Sequence, residues 1–158
     1  IERNQLQTLT NSLVSNLYLA RSEAAKRGFN VTLCASDSGQ TACNSTATSF
    51  ANGWIIFTDY DKNGSLTAAT TKFDTNGDGL LDSPEEILAI SEAPNPRFTV
   101  VSNGAPANLV SYRPTGDTSP RAFSIRIANA KNDQALSKIY FNTTGRVRSC
   151  TITSGEDC

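Results

Sequence analysis

With 158 residues, 38% hydrophobic and 18% charged, the chain carries enough apolar material for one buried core and has the composition of neither a disordered nor a membrane-spanning protein. Fourteen Lys and Arg against 15 Asp and Glu give a net charge of -1, which removes any general electrostatic pull toward nucleic acid or anionic lipid. Histidine is absent, and with it the commonest general base and the usual zinc or copper ligand; no Gly-rich phosphate loop or nucleophile elbow is present either, so the chain reads as a non-enzyme.

The chain begins at Ile1 and contains no methionine, so a natural N-terminal segment is expected to precede it, and any membrane anchor belongs to that segment. Leu6, Leu9, Leu13, Leu17, Ala20 and Ala24 recur at steps of three or four, the spacing of one apolar helix face, with Gln7, Asn11, Ser15 and Ser22 on the polar side. Lys26 and Arg27 complement the dipole of the last turn, and Gly28 follows as a left-handed cap. Phe29, Val31 and Leu33 then alternate with Asn30 and Thr32, which predicts a strand with one buried face. The Ser-, Thr-, Gly- and Asn-rich stretch 35–52 predicts a loop, and Trp54 to Phe57 an inner strand. The segment from Asp59 to Glu86 is too polar to contribute to a core. Beyond it, Ile87 to Ile90, Phe98 to Val101, Leu109 to Tyr112, Phe123 to Ile127, Lys138 to Phe141 and Val147 to Ile152 are short strands separated by turn residues. The sum is an α+β fold, one long N-terminal amphipathic helix packed on antiparallel sheet, with residues 1–158 as a single domain.

The cysteines stand in two close pairs, Cys34 with Cys43 and Cys150 with Cys158. Two local disulfides fit this spacing and imply an oxidising compartment; a four-thiolate zinc site and cross-pairing are the alternatives that spacing leaves open.

Specific segments resemble the GspH/FimT family of minor pilins and pseudopilins. The run from Leu19 to Gly28 is similar to the helix end of that family, Val31-Thr32-Leu33-Cys34 to the following strand, and Gly53 to Asp59 to its Gly-Trp strand. Asp82 to Leu88 resembles the exit of the adjoining turn, and Gly145-Arg146-Val147-Arg148 the Gly-Arg-x-Arg near the end of FimT members. Leu66 to Phe73 is inserted relative to the family pattern. The resemblance implies a pilin-like fold in which residues 1–28 are the C-terminal half of the pilin helix and 29–158 the β-rich body. It also implies a periplasmic domain whose missing hydrophobic half-helix sits in the bacterial inner membrane and later in the filament. Expected partners are other minor pilins or pseudopilins at a type IV pilus tip, where the subunit helps to prime assembly. A type II secretion pseudopilin and a DNA-binding pilin for natural transformation are the alternatives the same resemblance implies.

Two motifs carry chemistry. Residues 74–85 fit the twelve-residue calcium loop, with Asp74, Asn76, Asp78, Leu80 (by its carbonyl), Asp82 and Glu85 at ligand positions, Gly79 at the sixth place and Leu81 packing inward. The competing reading is an Asp/Asn/Gly hairpin turn whose side chains bond their own backbone, since neither flank is helical. Asp59-Tyr60-Asp61-Lys62-Asn63-Gly64 opens the same way but places Thr70 at the twelfth position, so it reads as a turn. Arg146 and Arg148 alternate across Val147 and should share a face, near Arg126 or Lys138 if those strands pair; they are the candidate DNA contacts, set against a solvated strand face.

Overall fold

The computed structural model describes residues 2–152. Helix α1 spans Glu2–Arg27, and Gly28 ends it with φ 75°, its amide returning to the Ala24 carbonyl at 3.0 Å. Nine strands follow: β1 Asn30–Ala35, β2 Trp54–Asp59, β3 Ile87–Ser91, β4 Phe98–Ser102, β5 Leu109–Tyr112, β6 Thr118–Ser119, β7 Ser124–Asn129, β8 Ala135–Phe141 and β9 Val147–Thr151. They form a five-stranded sheet of order β3-β2-β1-β5-β6 and a four-stranded sheet of order β4-β7-β8-β9, every pair antiparallel. The α+β architecture expected from the sequence is the one observed. The two-residue β6 had no predicted counterpart, being too short to show alternation.

The predicted helix stripe is the buried one. Leu6, Leu13, Leu17, Ala20 and Ala24 are buried, and Leu9 packs at the margin. Thr10, on the same stripe, is buried too, its hydroxyl 3.4 Å from that of Ser137 on β8. The stripe lies against both sheets at once, in one cluster with Val31, Leu33 and Tyr112 of the first and Ile125, Ile139 and Phe141 of the second. Removing this apolar area from water is the main force that holds helix and sheets together.

Two expectations are corrected. β1 is buried on both faces, not one, because the outer face of the first sheet is covered by a second small core of Cys34, Ile55 and Phe57 against Cys43, Leu66 and Leu109; β2, expected as an inner strand, is buried throughout. Leu66 lies in the long β2–β3 connection, so the segment 59–86 does contribute to burial; a few well-placed residues suffice when the rest of the loop satisfies its own polar groups. The Cys34–Cys43 disulfide is present, with Cα atoms 5.6 Å apart, which leaves no four-thiolate site and no cross-pairing. The second predicted pair depends on Cys158, which lies outside the described residues.

Candidate functional site

The β2–β3 connection begins with Asp59, which is almost fully buried at the end of β2. Its carboxylate accepts the Thr32 hydroxyl at 2.7 Å, the Gly64 amide at 3.0 Å and the Asn63 amide at 3.1 Å. Asp61 accepts the Asn63 backbone and side-chain amides, and Gly64 takes φ 75° to close the turn. Glu85, also buried, reaches back into this turn: one oxygen accepts the Tyr60 amide at 3.0 Å, the other the Thr67 amide at 2.8 Å. Asp59, Asp61 and Glu85 thereby bring carboxylate oxygens all within 4.8 Å of one another. Burial pushes the carboxyl groups of Asp59 and Glu85 above their ordinary range, and proximity to Asp61 adds to both shifts. Such a cluster is an all-oxygen, hard-ligand set suited to a divalent cation such as calcium.

The residues of the predicted calcium loop fall into two places. Asp74 to Asp82 form an exposed hairpin closed by the Phe73–Ser83 bridge, in which Asp74 accepts the amides of Gly77 at 2.7 Å and Gly79 at 2.8 Å, Asn76 that of Asp78 and Asp78 that of Leu80. Asp82 accepts the Thr75 amide and hydroxyl, both at 3.0 Å. These backbone bonds hold the Asp74 carboxyl below its ordinary range. Leu80 is 69% and Leu81 66% exposed, so Leu81 does not pack inward: no flanking helix supplies a surface to receive it. Glu85, the expected twelfth ligand, is with Asp59 and Asp61. That pairing was missed in the sequence because the Asp59-x-Asp61-x-Asn63-Gly64 opening lacks an acid at its own twelfth place, and the acid that joins it lies 26 residues after Asp59.

A cleft of about 660 Å³ opens where α1 meets β8 and β9 of the second sheet. Its wall carries Tyr18, Arg21, Tyr140, Arg146 and Arg148. Arg21 donates to the carbonyls of Gly116 at 3.1 Å and Thr144 at 3.3 Å, so its charge is positioned but not neutralised. The Arg148 guanidinium lies over the Tyr140 ring, 5.7 Å from its centroid, in a cation–π contact. Among the described residues no carboxylate lies within ion-pair distance of Arg21, Arg146 or Arg148. Arg126 and Lys138 face each other across β7 and β8, and Lys138 faces Cys150 of β9, one row from the Tyr140–Arg148 pair. Arg126, however, is bound to Asp133 at 2.7 Å. Sequence reasoning found Arg146 and Arg148 but missed Arg21 and Tyr18, which look like ordinary polar-face helix residues.

The stretch from residue 9 to 145 matches the family model for type II transport protein GspH. The chain belongs to the GspH family. Solved structures agree in fold. The type IV minor pilin FimU of Pseudomonas aeruginosa superposes over 98% of this chain and 93% of its own, with TM-score 0.62 and 18% identity. The minor pseudopilin EpsH of the Vibrio cholerae type II secretion system superposes over 99% and 100%, with TM-score 0.60 and 10% identity. No curated protein matches the chain in sequence. The GspH family is one of pilin-like structural subunits.

Proposed function

We propose that this GspH-family chain is the periplasmic domain of a minor pilin that joins other minor subunits at the tip of a type IV pilus and helps to prime its assembly. The observation that carries this reading is α1 itself, a rod of 26 residues whose buried stripe seats it across both sheets while its opposite face stays polar and free. A hydrophobic continuation of that rod would hold the subunit in the inner membrane before assembly; the described helix is not long and apolar enough to cross one. FimU and EpsH carry the same fold into a pilus and a secretion system respectively, so the type II pseudopilin role is the alternative. Deleting the gene in its host decides between them. Loss of surface filaments and of twitching supports the pilin; intact filaments with exported enzymes retained in the periplasm supports the pseudopilin; neither phenotype overturns both.

A second reading concerns the acidic turn. Calcium is proposed to bind at Asp59, Asp61 and Glu85, with Glu85 standing in for the missing acid at position 70. Two buried carboxylates beside a third repel unless protonated or bridged, which supports a cation there. Calorimetric titration of calcium into chelator-treated protein tests it: at 100-fold excess over the dissociation constant the fold gains about 2.7 kcal/mol. An unchanged melting temperature and no heat of binding sink the idea.

A further inference from the structure

The arginine cleft and the acidic hairpin are complementary in charge, and they belong to different parts of the fold. The hairpin belongs to the β2–β3 connection, next to edge strand β3 of the first sheet; the cleft is lined by α1 and by β8, β9 and the turn between them in the second sheet. Between Phe73 and Ser83 the hairpin carries Asp74, Asp78 and Asp82 and no basic residue. Its shape is held by Asp-to-amide bonds, so it meets a partner with little loss of freedom. Leu80 and Leu81, adjacent and exposed, give it an apolar tip of the kind that marks an interaction site when side chains cluster. The cleft offers what this tip lacks. Three guanidinium groups, with no carboxylate within ion-pair distance among the described residues, surround the apolar faces of Tyr18, Tyr140 and Val147.

From this the geometry points to a head-to-tail contact between two copies of this chain, in which the Asp74–Asp82 hairpin of one enters the Tyr18/Arg21/Arg146/Arg148 cleft of the next. Leu80 and Leu81 rest on the tyrosine faces, and Asp78 meets Arg146 or Arg148. Because donor and acceptor surfaces differ, the contact is heterologous: each bound copy still presents one free hairpin and one free cleft, which builds a row and not a closed pair. A duplex nucleic acid fits the cleft less well. Its affinity comes from a run of phosphate contacts, whereas Arg126 is already occupied by Asp133 and the chain is net acidic.

This inference rests on the filament-subunit reading for its biological sense, but its test uses the purified chain alone, so a failed contact leaves the deletion phenotype to be read separately. Sedimentation equilibrium and amide chemical-shift mapping are followed on dilution from about 1 mM, the range in which weak contacts are half-formed. The expected result is concentration-dependent association, weakened by salt, with shifts confined to residues 74–82 and to the cleft. Arg146→Glu with Arg148→Glu weakens it at least about tenfold, as does Asp78→Lys, and mixing the two reversed proteins restores association that neither shows alone. Leu80→Ser with Leu81→Ser weakens it without changing the salt dependence. All these side chains are exposed, and an unchanged melting temperature checks that each variant folds. A wild-type chain that stays monomeric at about 1 mM overturns the proposal, as does association insensitive to charge reversal. Cleft shifts produced by a duplex oligonucleotide in a monomeric wild type overturn it in favour of nucleic acid.

Discussion

Replacing the Cys34–Cys43 disulfide by Cys34→Ala with Cys43→Ala measures how much the cover of the first sheet depends on a short covalent loop. The bond joins residues nine apart, and the loop-entropy relation gives about 2.6 kcal/mol at 25 °C for a loop of that length. Structure adds to this figure. Cys34 is buried in the second core with Ile55 and Phe57, and the Cys43 sulfur accepts the Leu66 amide at 3.3 Å, so the bond also anchors the start of the β2–β3 connection. The expected total is roughly 3–4 kcal/mol, which for a domain of this size lowers the melting temperature by about 6–16 °C. Calorimetry of the double variant reads the shift, and hydrogen exchange locates it: amides of residues 36–44 and 59–67 should lose protection while those of β7 and β8 do not. A drop below about 1 kcal/mol would refute the reasoning, because it would mean that the 35–52 loop is ordered by its backbone bonds alone, such as that from the Asn44 amide to the Ala35 carbonyl.

Leu13→Ala, at a fully buried position in the centre of the helix stripe, should cost about 3–5 kcal/mol by denaturant unfolding, against less than about 0.5 kcal/mol for Ser15→Ala on the exposed face. Gly145→Ala should be among the most damaging single changes, at about 3 kcal/mol or more: its φ is 80°, and a Cβ there would sit 1.9 Å from the Gly116 carbonyl oxygen. Thermal melting reads it, and a shift under about 3 °C would contradict the geometry. Asp117 accepts the Thr115 hydroxyl and meets Arg121 and Arg113, in that order of effect, which holds its carboxyl below the ordinary range. The native state therefore stays ionised where the unfolded chain already binds a proton, so this stability is complete above the ordinary carboxylate value and fades as pH falls below about 4. The groups are solvent-screened and the effect is under about 1 kcal/mol, but Asp117→Asn should flatten the acid limb of stability against pH; an unchanged limb refutes the assignment.

The fold was largely legible in the sequence because two periodicities carried it. A step of three to four from Leu6 to Ala24 matches a one-faced helix, and apolar runs too short for a helix, rich in β-branched and aromatic residues and cut by turn residues, match strands. Thr10 escaped notice on the stripe because residue type alone does not reveal that a hydroxyl has a buried partner, here Ser137. Burial of both faces of β1 was illegible for a related reason. Alternation of Val31 and Leu33 with Thr32 reads as one wet face, yet Thr32 is buried with its hydroxyl shared between Asp59 and Ser111, both 2.7 Å away. Polar residues inside a sheet are disguised as surface whenever their bonds are satisfied. The cleft was half legible: Arg146 and Arg148 stand out by spacing, but Arg21 reaches it only through contacts 95 and 123 residues distant in sequence.

The β2–β3 connection shows why a twelve-residue string does not by itself locate a cation site. Two Asp-rich openings precede one glutamate, and both would accept it by spacing or by composition. What decides is the backbone around Glu85. The free amides of Tyr60 and Thr67 point at its two oxygens from the far side of the loop, and Glu86 is tied beside it by its amide bond to the Thr58 hydroxyl at 2.7 Å, so residue 85 faces inward toward Asp59 before any metal is considered. The second opening is thereby left without its acid and closes on its own amides instead. That division has a functional consequence. The buried turn gains a concentrated negative site that can be bridged, while the outer hairpin spends its three aspartates on its own amides and hydroxyls and keeps two leucines in solvent. A connection that only bridged two strands would need neither feature. Stability explains the first and leaves the exposed leucines, which cost solubility wherever they are uncovered, to be explained by contact with another molecule.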